Sequence, residues 1–230
     1  MNSPHFLPVP MRPLLLALAV AAAPGAALAQ SAGSWLVRLG ATQIKPEVTS
    51  GDLSAPSVAG SKIDIASDTQ PTAGVTYMLS ERWSLDLPLS AGFKHDVLAA
   101  GAIEGAGRLG EVRALPVTLL LQWRFGGAED ALRPYVGFGP TYAHLYDAQS
   151  TAALSALTGG TPARPTLLEM ESKLTYTVQL GLAWRFAPRW GLDLAVTKTP
   201  LKTTGTLSTG QTIEAKLDPM SAQVGISYRF

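Results

Sequence analysis

The chain has 230 residues, 47% of them hydrophobic and only 15% charged, with a formal net charge of +1 and no cysteine. Soluble domains average about 25% charged residues, so this chain is poor in charge, yet its Val, Leu and aromatic content is too high for disorder. Without Cys there is no disulfide scaffold, thiolate metal site or cysteine nucleophile, and without a basic block nucleic acid is not an expected partner.

The first segment reads as an export signal. Arg12 is the only Asp, Glu, Lys or Arg before Arg38, and an apolar run from Leu14 to Val20 and a series of alanines follow it. Ala27, Leu28 and Ala29 then form the small-x-small pattern of a signal-peptidase site. Cleavage is expected after Ala29, which makes residues 1–29 a removed signal peptide and residues 30–230 the mature domain; Met11 is an alternative start. After residue 30, Gly, Pro or a polar side chain cuts each apolar stretch within about eight residues, far short of the roughly 20 a membrane helix needs. A mature chain that enters lipid must therefore close into a β-barrel, the other fold that satisfies its own backbone there.

The mature chain alternates with period 2, the signature of strands with one apolar face. In chain order, the alternation predicts strands over residues 35–42, 72–79, 83–93, 116–125, 135–142, 174–186, 190–197 and 220–230. Strands of about ten residues cross a bilayer at a tilt near 45°. Tight connections at residues 80–82, 126–131 and 187–189 alternate with long ones at 46–69, 94–113, 146–172 and 203–217. That asymmetry predicts an eight-stranded antiparallel transmembrane β-barrel with short periplasmic turns and long extracellular loops, in the outer membrane of a Gram-negative bacterium. Trp83, Trp123, Trp184, Trp190, Tyr228 and Phe230 fall beside the short turns, as an aromatic membrane girdle would, and the strand ending in Phe230 is a candidate assembly signal. In a soluble eight-stranded calyx, Lys and Glu would occupy the second face; here that face carries Gly, Ser, Thr, Gln and a few Arg and Asp.

Several segments, in order and at matching separations, resemble the OmpW family of small outer-membrane proteins. They are WLVRLGAT at 35–42, GFKHD at 92–96, LPVTLLLQ at 115–122, RPYVGFG at 133–139 and the closing VGISYRF at 224–230. The resemblance implies an eight-stranded barrel with a narrow, largely apolar channel opening outward, a role in uptake of small hydrophobic molecules and, in some members, service as a phage or bacteriocin receptor. The chain departs from the family pattern at Ala114, where a His usually precedes Leu-Pro-Pro, and at Thr197–Pro200, where relatives read Arg-Tyr-Ile.

An eight-stranded barrel has room inside for side chains or one small ligand. Asp86, Arg124, Arg185, Asp193 and Arg229 fall on the inward face towards the periplasm. Buried charges need partners, so these residues are expected to form a polar plug. A closed floor forces a greasy solute to leave sideways, and proline weakens a strand by removing a ladder donor. Pro88, Pro116 and Pro140 are therefore candidates for a lateral gate. The ligand mouth is assigned to Phe93, Leu98, Ile103, Tyr142, Leu145, Tyr146 and Leu154, with a short helix expected in the Ala- and Leu-rich stretch 148–157.

The expected function is an outer-membrane channel for small hydrophobic molecules; the alternative is a receptor or adhesin whose loops bind a partner. A lipid-modifying barrel enzyme would need His with a nucleophile, and neither His95 nor His144 has one in a recognisable motif. No metal or cofactor site is read from the sequence. The expected partners are outer-membrane lipid, a small hydrophobic ligand and the outer-membrane assembly machinery, around a monomeric barrel.

Overall fold

The computed structural model describes residues 32–230. The expected signal peptide and its cleavage position lie outside the described residues. The strands, in chain order, are β1 (Trp35–Lys45), β2 (Thr49–Ser50), β3 (Ser61–Ile65), β4 (Asp68–Met78), β5 (Trp83–Ser90), β6 (Phe93–Gly101), β7 (Arg108–Thr118), β8 (Leu120–Arg124) and β9 (Leu132–Ser150). After helix α1 (Ala152–Thr158) come β10 (Leu168–Met170), β11 (Lys173–Arg185), β12 (Trp190–Lys198), β13 (Lys202–Leu207), β14 (Thr212–Lys216) and β15 (Met220–Arg229). Antiparallel pairing runs β1–β4–β5–β8–β9–β11–β12–β15 and returns to β1, so these strands close an eight-stranded barrel.

The predicted alternation sorts side chains as a membrane barrel requires. Leu39, Leu87, Leu121, Leu180, Val224 and Ile226 are exposed on the outer wall. Arg38, Asp86, Gln122, Arg124, Gln179 and Asp193 are buried in the lumen. An exposed apolar wall around a polar interior fits lipid as the outer solvent. The aromatic residues meet in pairs near the short turns. Trp83 packs edge-on against Trp123 at 4.8 Å, and Tyr228 lies 4.8 Å from both Trp190 and Phe230.

The long connections contain more strand than their composition predicts. Residues 94–113 form most of a hairpin, β6 with β7; residues 203–217 form another, β13 with β14; and β9 runs on to Ser150. The alternation continues past the bilayer, but its outer set changes from leucine to charge, which disguises it. Arg108 pairs with Asp96 and Arg113 with Asp147, each at 3.0 Å, on these extensions. Inside them sits a small core of Val97, Leu109, Val112, Leu145, Leu154, Leu168 and Leu207. Helix α1 adds Leu154 to this core, capped by Thr151 at its start and by left-handed Gly159 at its end.

Strand three changes face part-way. Ser84 and Asp86 point inward on β5, whereas Phe93, His95 and Val97 point inward on β6. The break falls at Gly92, whose φ of 93° suits glycine. An added Cβ there would lie 2.4 Å from the Tyr146 hydroxyl.

Candidate functional site: a two-part lumen with an interrupted wall

The lower lumen is packed with polar side chains. Arg38 Nη2 lies 3.2 Å from Asp86 Oδ2 and its Nη1 lies 3.3 Å from Asp193 Oδ1, with all three groups buried. Thr76 donates to Asp86 at 2.6 Å and the Tyr135 hydroxyl donates to Asp193 at 2.9 Å. Arg124 donates to Ser84 and to Gln122, and its guanidinium stacks 4.8 Å from the Tyr135 ring centroid. Gln122 in turn donates to Gln179 at 2.7 Å. Buried charges persist only when paired and hydrogen-bonded, and here one cation bridges two carboxylates contributed by different strands.

Of the five residues assigned to the plug, Asp86, Asp193 and Arg124 lie in this network. Arg185 and Arg229 do not. Arg185 lies at the periplasmic rim, 3.5 Å from Glu129, and Arg229 donates to the Pro188 carbonyl in the neighbouring turn. Arg38 and Tyr135, the two residues that tie the network together, are absent from that assignment. Both sit on strands the alternation identifies, but nothing in the sequence links either one to Asp86 or Asp193, which are far along the chain.

Above this layer lies a cavity of about 140 Å³. Its floor is Gln179 and Gln223, its middle a belt of threonines, and its upper wall Ile44, Ile65, Phe93, Ala143, Leu145 and Leu201. Among the described residues no Asp, Glu, Lys or Arg lines it. His95 does line it, as a buried residue of β6 whose Nδ1 is 2.8 Å from the Ala66 carbonyl. That placement differs from the loop position its sequence suggests, and the face change at Gly92 is the cause. A second apolar cavity of about 40 Å³ lies in the outer core.

The seven residues assigned to the ligand mouth divide between these spaces. Phe93 and Leu145 line the main cavity, and Ile103 and Leu154 line the smaller one. Leu98 and Tyr146 line neither. Tyr142 also lines neither: it is 45% exposed on the outer wall, because odd-numbered residues of β9 face the lumen and even-numbered ones face away. Its ring stacks with His144, which stacks with Tyr146.

The wall between strands three and four is interrupted. Pairing of β5 with β8 ends at Asp86↔Leu120, and pairing of β6 with β7 begins at Phe93↔Ala114. Residues 87–92 on one side face residues 115–119 on the other, one residue fewer, so no common register spans them. Pro88 and Pro116, which lack N–H donors, sit in these two segments. Both line the cavity, and so does Leu89, although Leu89 is 45% exposed on the outer wall. Pro140 lies elsewhere, in unbroken ladder: it pairs with Tyr176, and its carbonyl accepts from Leu119 N–H.

A family model described as "OmpW family" matches residues 31–230. The chain belongs to the OmpW family. It is 26% identical to the Vibrio cholerae protein named Outer membrane protein W, over 96% of this chain and 100% of that one. It is 26% identical to the Ectopseudomonas oleovorans protein named Outer membrane protein AlkL, over 86% of this chain and 83% of that one. Among solved structures, that of the outer membrane protein OprG from Pseudomonas aeruginosa superposes with a TM-score of 0.77 at 26% identity, covering 87% of this chain and 97% of that one. Members of the family carrying such names are outer-membrane proteins of Gram-negative bacteria, and this chain is an outer-membrane barrel of the same kind, consistent with a channel. It sits in lipid with its apolar wall outward.

Proposed function

We propose that the protein is a channel through which small hydrophobic molecules enter from outside, occupy the apolar upper lumen and leave sideways into the bilayer. The observation that carries the reading is that the cavity is lined by Pro88, Leu89 and Pro116, the residues of the unpaired wall. Downward passage would have to break the Arg38, Asp86 and Asp193 pairing, whereas sideways passage meets a wall with no ladder bonds to break. The Trp and Tyr rings near the short turns hold the barrel at the lipid boundary, and β15 with Phe230 is the segment offered to the assembly machinery. In cells lacking other uptake routes, Pro88→Thr with Pro116→Thr is expected to reduce uptake of benzyl alcohol by restoring donors to the wall. Unchanged uptake in a correctly folded double variant would falsify lateral exit. Increased uptake after disruption of the Arg38 network would instead point to an axial route.

A further inference from the structure

The threonines of the cavity form a connected arc. Thr118 and Thr141 hydroxyls are 2.9 Å apart, Thr141 and Thr177 are 2.6 Å apart, and Thr177 and Thr199 are 2.7 Å apart. The four residues come from four consecutive positions around the barrel, on β7, β9, β11 and one residue past the end of β12. All four line the cavity. The arc has a simple proton balance. Four hydroxyls carry four protons but share three hydrogen bonds, so one O–H at an end of the arc has no partner within it. The opposite end keeps an oxygen that accepts nothing from the arc. Reversing the direction of every bond exchanges the two ends, so each of Thr118 and Thr199 can serve as donor or as acceptor.

A purely apolar solute that displaces water from the cavity leaves both ends unsatisfied, and burying an unpaired hydroxyl is costly. A hydroxyl solute both donates and accepts and so completes the arc at either end. An anion finds no Lys or Arg in the lining among the described residues. We propose that this arc makes the channel selective for neutral, singly oxygenated small molecules, such as alcohols, over hydrocarbons of the same shape and over carboxylate anions. This rests on the reading of the cavity as the ligand path, and it names the ligand class. The size also fits: a cavity of about 150 Å³ holds benzene, and this one, at about 140 Å³ and lined in part by flexible side chains, takes a single aromatic ring with a short substituent.

The test uses three probes of matched outline, ethylbenzene, benzyl alcohol and benzoate, titrated at pH 8 into the full barrel in lipid nanodiscs. Shifts of 13C-labelled threonine methyls report occupancy. The comparison is the ratio of benzyl alcohol to ethylbenzene affinity in the wild type against that in Thr118→Val with Thr199→Val, so that partitioning into lipid cancels. Valine keeps the shape and removes the end hydroxyls. The ratio is expected to fall about fivefold in the variant, the loss that goes with one neutral hydrogen bond, while ethylbenzene affinity holds or rises and benzoate gives no threonine shift in either protein. Wild-type titrations alone decide the matter if the variant fails to fold, since benzyl alcohol must then still outbind ethylbenzene after correction for partitioning measured in empty nanodiscs. Binding of both neutral probes with a ratio indifferent to valine, or benzoate binding as tightly as benzyl alcohol, overturns the inference and leaves the channel intact. Failure of every probe to perturb the threonines overturns the inference and the proposed ligand path together.

Discussion

The lower and upper lumen share one wall and one alternation, yet one is full and the other hollow. Below, the inward side chains are long, and Arg38, Gln122, Arg124 and Tyr135 reach across the bore. Glycine on the adjacent strand makes the space: a Cβ at Gly74, paired with Arg38, would lie 2.6 Å from Arg38 Nη2, and one at Gly181, paired with Tyr135, only 2.0 Å from the Tyr135 ring. Above, the inward set is mostly Thr, Ala, Val, Leu and Ile, with Phe93 and His95 on one side, and leaves the middle open. A barrel of this strand number is wide enough for filling by side chains or for one small guest, and the length of the inward residues selects between them. The floor is thus held by charge and the chamber by shape.

Three sets of changes put that contrast at risk. The heaviest loss should come from Arg38→Met, which leaves Asp86 and Asp193 buried with no bridging cation, at a cost of about 3–5 kcal/mol in urea unfolding from lipid vesicles. Adding Asp86→Asn and Asp193→Asn to it should recover most of the loss, and a single variant as stable as wild type would show that charge does not hold the floor. Gly181→Ala comes next: it drives a methyl into Tyr135 and should cost about 1–3 kcal/mol. The companion change in the chamber, Ala143→Val, should cost less and cut solute uptake by filling space; the reverse order of stabilities would erase the distinction between the halves. The slightest change lies outside the bilayer. Partial burial tends to raise the Asp218 pKa, but hydrogen bonds from Lys216 and the Leu201 N–H outweigh it and hold the carboxyl below the usual range. Its contribution is therefore present at neutral pH and lost as the solution is acidified through that lowered value. Lys216 is exposed and solvent screens its charge, so Asp218→Asn should flatten only a shallow acid-side slope in stability measured by urea titration across pH.

Most of the barrel is legible in the sequence because an apolar residue at every second position suits a strand with one greasy face and little else. Leu85, Leu87 and Leu89 announce one face of strand three, and Leu192, Leu194 and Val196 one face of strand seven. Beyond the bilayer the same period persists in β6 and β7, but with Lys94, Asp96 and Arg113 on the outer side it looks like loop. The reversal at Gly92 is also hidden, since a pleat resets wherever one residue is left unpaired, and a single glycine does not announce that. It moves Phe93 and His95 into the chamber. In the candidate site, the two prolines of the wall are visible as donors missing from strands. The partnership of Arg38 with Asp86 and Asp193 is not, because contacts across a bore depend on register around the whole ring rather than on spacing along the chain. The threonine arc is invisible for the same reason: its members are drawn from four strands, and no one of them is unusual.

The ring is fastened by a seam in which β1 pairs with β15, from Leu36↔Arg229 to Lys45↔Met220. Until that last strand arrives, β1 and β12 stand as open edges with unpaired N–H and C=O groups. The unzipped polypeptide is therefore at greatest risk of clumping while it travels, and non-local pairing of this kind forms slowly. The barrel's protection from its own edges therefore waits on the pairing of its first strand with its last.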